Sequence, residues 1–365
     1  MPKYTTTLFM ALISIYSFAQ KSVRKDTVEE WKLEKSVLKK LPFDLSYIPA
    51  KSFTSLVRTG NDSASSYRSR IVSVRSFYIS QTEVTNKEYR DFVHYVRDSI
   101  AHTLLLNFKS ENKEIDWKKN INWNDDRLDA MMIPAEERIL GRKEIDPVKL
   151  NFEISYFGQK EIITVCPDTL RWLSDFSYSY NELLAKRYFS HSGYNNYPVV
   201  GVSLKQAMAF CQWKTKQVNA NVIVRLPTNA EWESAAIGEK DTAVAFAGKK
   251  PYKCNFGTIP STAGGIGKAY DDDGFFYTGP VKSFSSESYG LFDMKGNVAE
   301  WTSTALDEIQ NVEVKAEKQK RLFIVKGGGW NSTIYYLQPG ACQFYNAEAA
   351  NTWTGFRYVV EVKKN

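Results

Sequence analysis

The chain has 365 residues, 43% of them hydrophobic and 14% aromatic, so it can bury a sizeable core and is too rich in aromatics for a disordered protein. Its net charge of +7 comes from basic residues interleaved with acids, which argues against a nucleic-acid-binding patch. The composition predicts a globular protein of one large domain or two small ones.

The N-terminus has the pattern of a secretory signal peptide. Lys3 precedes an apolar run at residues 8–16, and Ser17 and Ala19 supply the small residues of a cleavage site. The run is too short to span a bilayer, although an N-terminal core helix is an alternative. We expect residues 1–19 to be cleaved and residues 20–41 to form a charged arm or linker.

Three helices are predicted by capping boxes, in which a Ser or Thr side chain bonds a backbone N–H and a Glu or Gln three residues later bonds back. The pairs are Thr85 with Glu88, Ser203 with Gln206 and Thr228 with Glu231. Between the first two boxes, residues 100 to about 195 are aromatic-rich without a clear period, which indicates an elaboration of the domain. Short β-like runs and turn-rich segments elsewhere predict an α+β fold.

The four cysteines are widely spaced and form no CxxC pair, so no zinc site is predicted. Two disulfides and four buried thiols are both compatible with this count. No two of the three histidines lie three or four residues apart, and we interpret His94 as a surface or packed residue. The cysteines are Cys166, Cys211, Cys254 and Cys342.

Six short motifs occur in a fixed order along the chain, at residues 82–86, 198–203, 225–233, 290–301, 327–330 and 355–357. They are similar, in that order, to the motifs of the formylglycine-generating enzyme, or sulfatase-modifying factor, domain superfamily. The sequence resembles this superfamily over residues 43–362, and the resemblance implies a compact, complex C-type-lectin-like fold with few helices and short strands. We expect residues 42–365 to form that domain.

The elaboration carries a second group of motifs, at residues 89–100, 134–138, 142–144 and 168–180. These motifs resemble the GldK/PorK family of gliding-motility and type IX secretion lipoproteins. This resemblance implies a structural role in protein transport, in a periplasmic ring at the inner face of the outer membrane. The implied partner is a GldN/PorN-type ring protein or a second copy. The sequence lacks the family's lipidation cysteine, so we expect a paralogue attached to the outer membrane peripherally at most.

The resemblance also implies two copper-binding thiolates shortly after the Gly-Gly motif, since thiolates suit Cu(I). In this register they fall near Ser332 and Leu337, and no cysteine occurs between residues 330 and 341. We therefore expect no bound copper, no catalytic residues and no formylglycine-generating activity.

Two cysteines resemble half-cystines of the family. The implied partner of Cys342 falls near Ala236, and that of Cys211 falls near Tyr358. Neither family disulfide can form in this chain.

Structural calcium is the cofactor that the resemblance still allows, because calcium needs only oxygen ligands. One site would use Asn255, Asp273 and the carbonyls of Phe256 and Phe275, and the other Asp293, Glu300 and the carbonyls of Gly296 and Val298. Alternatively, these acids only stabilise turns.

Three functions follow from these observations: a non-catalytic ring component, a calcium-dependent ligand-binding module, and an oxidase that uses a different cofactor. The missing thiolates argue against the oxidase. The GldK-like elaboration favours the ring component, and its aromatic residues are typical of protein interfaces.

Overall fold

The structure is a computed structural model that describes residues 38, 41, 43–59, 66–110, 113–175, 180–218, 221–238, 253–260, 266–269, 271–310 and 321–362. The candidate signal peptide and nearly all of the charged arm lie outside these ranges. Within them, no helix is both long enough and apolar enough to cross a membrane.

The helices begin where local sequence predicts them. The three predicted capping boxes are confirmed at Thr85, Ser203 and Thr228. The α-helices in the described ranges are α1 Asn86–Leu104, α2 Arg171–Ser174, α3 Glu182–Arg187, α4 Leu204–Gln217, α5 Asn229–Ile237 and α6 Leu306–Gln310.

Short strands form two four-stranded sheets, in the orders β1-β4-β14-β7 and β12-β11-β10-β13, and three separate hairpins. Only β10 and β13 pair in parallel among the described strands. The strands are β1 Leu45–Ile48, β2 Lys51–Thr59, β3 Ser66–Val74, β4 Phe77–Ser80, β5 Asn151–Tyr156, β6 Gln159–Thr164, β7 Val222–Arg225, β8 Ile259–Pro260, β9 Ile266–Lys268, β10 Ala299–Ala305, β11 Leu322–Lys326, β12 Gln343–Asn346, β13 Thr354–Gly355 and β14 Val359–Val362. The mixture of a few helices with short strands confirms the α+β prediction.

Aromatic side chains join α1 to α4 in the largest part of the core. Tyr89 stacks on Phe210 with ring centroids 5.7 Å apart, and Phe92 lies 5.3 Å from Trp213. Tyr89 and Phe92 are three residues apart and are both buried on α1. Each fully buried side chain of this size contributes about 1.5–3 kcal/mol of hydrophobic stabilisation.

The elaboration is part of the same core rather than a separate decoration. Leu128 and Ile154 belong to the buried cluster of α1 and α4. The Tyr89 hydroxyl donates a hydrogen bond to the Val165 carbonyl at 3.0 Å. The segment consists mainly of short 3₁₀ helices, the β5–β6 hairpin and two short α-helices, so no single period runs through its sequence.

Candidate functional site

A buried ion pair links two of the sequence motifs at the centre of the domain. The Arg357 guanidinium contacts both carboxylate oxygens of Glu300 at 2.6 Å. The Trp232 indole N–H also donates to Glu300 at 2.6 Å, and Arg357 donates further bonds to three backbone carbonyls. Burial lowers the pKa of Arg357, but Glu300 outweighs this effect and holds the pKa above its ordinary value.

Glu83 lies near this pair and is also fully buried. Its Oε1 accepts a hydrogen bond from the Asn297 amide at 3.1 Å, while its Oε2 has no partner among the described residues. Burial, followed by the negative charges of Asp293 and Glu300, raises the pKa of Glu83 well above its ordinary value. Burial also raises the pKa of Asp293 to about 6. Three carboxyl groups therefore lie near one guanidinium that bonds only Glu300 among them, which favours a proton on Glu83 or Asp293.

The first candidate calcium set comes together in the structure. The buried Asn255 side chain donates to the Tyr277 carbonyl at 2.7 Å, and its Oδ1 has no partner among the described residues. Asp273 accepts the backbone N–H groups of Phe256 at 3.0 Å and Phe275 at 3.2 Å. The two N–H contacts fit the interpretation that Asp273 stabilises a turn. The Asn255 oxygen, which has no partner among the described residues, fits a calcium ligand.

The second candidate set lies in a tight loop next to the first. Gly296 has φ +78°, and a Cβ there would lie 1.9 Å from the Asn255 carbonyl oxygen, so the loop needs glycine. Asp293 accepts the Lys282 N–H at 2.9 Å. Val298 is buried two residues before Glu300, both of whose oxygens contact Arg357. The first set therefore offers calcium the Asn255 Oδ1, which has no competing partner among the described residues. In the second set, both Glu300 oxygens are already bonded to Arg357.

Within the described ranges, the two candidate sets included, no group of three or more His, Cys, Asp or Glu side chains is arranged to hold a metal ion. His94 is exposed, as predicted, and the His191 ring accepts the Gly193 N–H at 3.0 Å.

The two positions that correspond to the copper thiolates are neighbours in the structure. A Cβ on Gly328 would lie 3.2 Å from both the Ser332 Cβ and a Leu337 methyl carbon. Both side chains are buried, and the Ser332 hydroxyl accepts the Gly329 N–H at 2.9 Å. A serine and a leucine therefore occupy the place where the resemblance implies two sulfur ligands.

The cysteines form no disulfide with one another, and all four lie in the described ranges. Of the two alternatives, the structure favours thiols. Burial raises the pKa of Cys166 to about 11 and that of Cys211 to about 12. Both thiols therefore stay protonated at neutral pH and are poor nucleophiles.

Several of these residues have no role that the sequence alone indicates. Glu83, Trp232 and Arg357 stand within the quoted motifs, but only the fold shows that they converge on Glu300. For Arg357, the sequence offered one signal: a charged residue that follows glycine and phenylalanine within a motif.

Calcium removal is expected to destabilise the protein if the first set binds the ion. Calcium at a hundredfold above its Kd would raise the free energy of unfolding by about 2.7 kcal/mol. Thermal melting with and without a chelator measures this difference. Asn255→Ala should remove the dependence, whereas Asp271→Ala, at an exposed neighbouring acid, should preserve it. Identical melting curves with and without chelator would leave Asp273 as a turn-stabilising residue only.

Known proteins resemble the chain along most of its length. Residues 53–362 match the family described as "Sulfatase-modifying factor enzyme 1-like domain". The chain is 39% identical to the formylglycine-generating enzyme of Thermomonospora curvata over 113 residues, which cover 29% of this chain and 33% of that enzyme. It is 35% identical to "Inactive C-alpha-formylglycine-generating enzyme 2" of Bos taurus over 142 residues, 38% of this chain and 40% of that protein.

These alignments span less than half of either curated relative. PvdO from Pseudomonas aeruginosa has a similar structure, with a TM-score of 0.51 and 17% identity over 87% of this chain and 94% of that one. At 17% identity, this similarity shows a shared fold alone.

Proposed function

The chain belongs to the sulfatase-modifying factor enzyme 1-like domain family, and we propose that it is a non-catalytic component, or a paralogue of a component, of the GldK/PorK ring of type IX secretion and gliding motility. It acts by binding protein partners in the periplasm. Its partner is a GldN/PorN-type ring protein, and copies of the chain also contact one another. The likeness of the elaboration to GldK/PorK sequences supports this role.

The distribution of exposed hydrophobic side chains carries the proposal. Eleven of the fourteen large hydrophobic side chains that are exposed in the described ranges lie between residues 100 and 195. The other three are Ile71, Phe276 and Leu322. Exposed apolar residues that form a patch are typical of interaction sites, whereas single ones are ordinary. The elaboration thus contributes buried residues to the core and also most of the exposed apolar side chains that a partner could cover.

Two of these aromatic residues are held in fixed positions. Trp117, 47% exposed, stacks on Tyr95 with ring centroids 5.0 Å apart. Trp123, 38% exposed, lies under the Arg97 guanidinium at 5.1 Å. Because these rings are already ordered, a partner that covers them loses little side-chain entropy on binding. Tryptophan and arginine are also the residues most often found at interaction hot spots.

The absence of catalysis in this proposal rests on Ser332 and Leu337. Neither side chain offers the soft sulfur ligand that Cu(I) requires, and both are enclosed by the domain. A structural calcium at Asn255 and Asp273 would stabilise the loops without taking part in chemistry. The signal-peptide pattern supports periplasmic location, with peripheral attachment to the outer membrane.

Co-purification from the protein's own bacterium tests the proposed partner. A tagged wild-type chain is expected to recover a GldN/PorN-type ring protein. The Trp117→Ser, Trp123→Ser double variant should reduce this recovery at least tenfold, because truncation at a hot spot costs about 2 kcal/mol or more. Leu322→Ser, at an exposed apolar residue outside the elaboration, is the matched control and should recover the partner normally. No ring protein with the wild-type chain, or equal recovery with the double variant, would refute the proposal.

A further inference from the structure

The loop at residues 133–144 ends in an exposed apolar tip. Ile139 and Leu140 at the tip are 80% and 87% exposed. The loop is closed at its base, where the Ile133 N–H donates to the Glu144 carbonyl at 2.8 Å. The tip therefore projects from a fixed base.

Ion contacts stabilise the same loop from the side. Lys143 lies 2.8 Å from Asp129, and the Arg138 guanidinium donates to the Ile133 carbonyl at 2.8 Å. Met131, which precedes the loop in the chain, is buried. These contacts order the loop before any partner binds, which lowers the entropic cost of an interface.

The turn at the tip has a backbone that leucine disfavours. Leu140 has φ +54° and the following Gly141 has φ +69°, while the Arg142 N–H donates to the Ile139 carbonyl at 3.2 Å. Positive φ at both central residues defines a type I′ turn, for which Asn-Gly is the preferred pair. A non-glycine residue in this region costs about 1–2 kcal/mol. Leu140 gains no compensating burial within the described chain, which points to a contact with another molecule.

Charges on the loop indicate the chemistry of that contact. The side chains of Glu136, Glu137 and Arg142 form no ion pair or hydrogen bond inside the described ranges. The loop carries three acidic and three basic residues, so it has no excess positive charge that would attract it to an anionic lipid surface. A protein groove that combines some apolar side chains with charges of both signs is complementary to this tip.

The chain itself has such a groove. A cleft of about 460 Å³ lies beside the start of α1, with an apolar part at Phe43, Pro280 and Val281. Asp44, Glu88 and Lys282 line the same cleft. Asp44 and Lys282 form only an exposed pair at 3.3 Å, which an incoming charged side chain can exchange at little cost.

The tip and the cleft are attached to opposite ends of α1. Glu88 is in the first turn of α1, whereas Arg127, just before the loop, bonds the carbonyl of Leu105 at the other end at 3.1 Å. A helix of 19 residues is about 28 Å long. Contacts between different ends of two copies are heterologous, so they repeat into a ring or a filament.

We propose that Ile139 and Leu140 of one molecule insert into the cleft between Phe43 and Lys282 of a second copy, with Arg142 directed toward Asp44. This inference deepens the proposed ring function, because it names the contact through which copies of the chain associate. It does not depend on the identity of any other ring protein.

Sedimentation velocity of the purified protein over a concentration series tests the contact. The wild-type protein is expected to form oligomers as its concentration rises, and Leu140→Asn is expected to stay monomeric. Asparagine tolerates positive φ, so at a concentration at which both proteins are monomeric Leu140→Asn should melt at the same temperature as the wild type or higher. Ile162→Asn, at another exposed apolar residue of the elaboration, is the matched control and should associate normally.

A mixing experiment tests the head-to-tail geometry. Asp44→Arg changes the cleft and should also be monomeric alone. An equimolar mixture of Leu140→Asn and Asp44→Arg should form one-to-one dimers, because each pair retains one intact tip and one intact cleft. A monomeric wild-type protein, normal association of Leu140→Asn, a lower melting temperature for Leu140→Asn, or a mixture without dimers would each overturn the inference. Co-purification of a GldN/PorN-type protein with a monomeric wild-type chain would overturn this contact alone and leave the proposed function in place.

Discussion

Glu300→Ala is expected to lower the free energy of unfolding by about 3–5 kcal/mol, because it removes one partner of a buried ion pair. Arg357 is fully buried, and Glu300 is its carboxylate partner at 2.6 Å. Without Glu300, the buried guanidinium loses its directly bonded carboxylate and keeps only Glu83 and Asp293 as more distant charges. The Trp232 indole also loses its acceptor. Urea denaturation of the wild type and the variant measures the difference.

Exposed ion pairs provide the control for this prediction. Glu348 contacts Lys205 at 2.6 Å, but its side chain is 67% exposed. Glu348→Ala should therefore cost less than about 1 kcal/mol. A Glu300→Ala variant as stable as Glu348→Ala would show that the Glu300–Arg357 pair is not a buried structural contact.

Trp172→Ala is the second variant with a large expected effect, about 3–5 kcal/mol of destabilisation, which is typical for truncating a buried tryptophan. Trp172 belongs to the elaboration and is buried against Tyr188, with ring centroids 5.0 Å apart. It also contacts Tyr277 at 5.3 Å, and Tyr277 packs on Trp330 of the Gly-Gly motif at 5.0 Å. The substitution thus leaves a cavity between the elaboration and the rest of the domain.

Trp117→Ala is the matched control, since Trp117 is half-exposed within the same elaboration and its loss leaves no enclosed cavity. Thermal melting of both variants should show a much larger decrease for Trp172→Ala. Equal small decreases would mean that the elaboration can separate from the domain without loss of stability.

For the same reason, deletion of the whole elaboration should unfold the protein, whereas an inserted segment that does not contribute to the core could be removed without unfolding.

The parts of the fold that depend on neighbouring residues could be predicted from the sequence. Each capping box joins residues three apart, so Thr85, Ser203 and Thr228 marked their helices directly. The ordered motifs indicated the family and its α+β fold, which the family match supports.

Contacts between distant residues were not visible in the sequence. Glu83 and Glu300 are separated by more than two hundred positions, and only the fold places both near Arg357. The same holds for Trp172 and Tyr277, which join the elaboration to the domain. Ser332 and Leu337 could be located by resemblance, but their common contact with Gly328 required the structure.

The most direct test of the non-catalytic role is mass spectrometry of a cysteine-containing sulfatase-motif peptide after incubation with the purified chain, copper and dioxygen. The formylglycine-generating enzyme of Thermomonospora curvata serves as the positive control. With Ser332 and Leu337 at the positions of the two implied thiolates, we expect the peptide to keep its cysteine while the control converts it. A formylglycine product that depends on this chain would contradict the proposed role as a structural ring component.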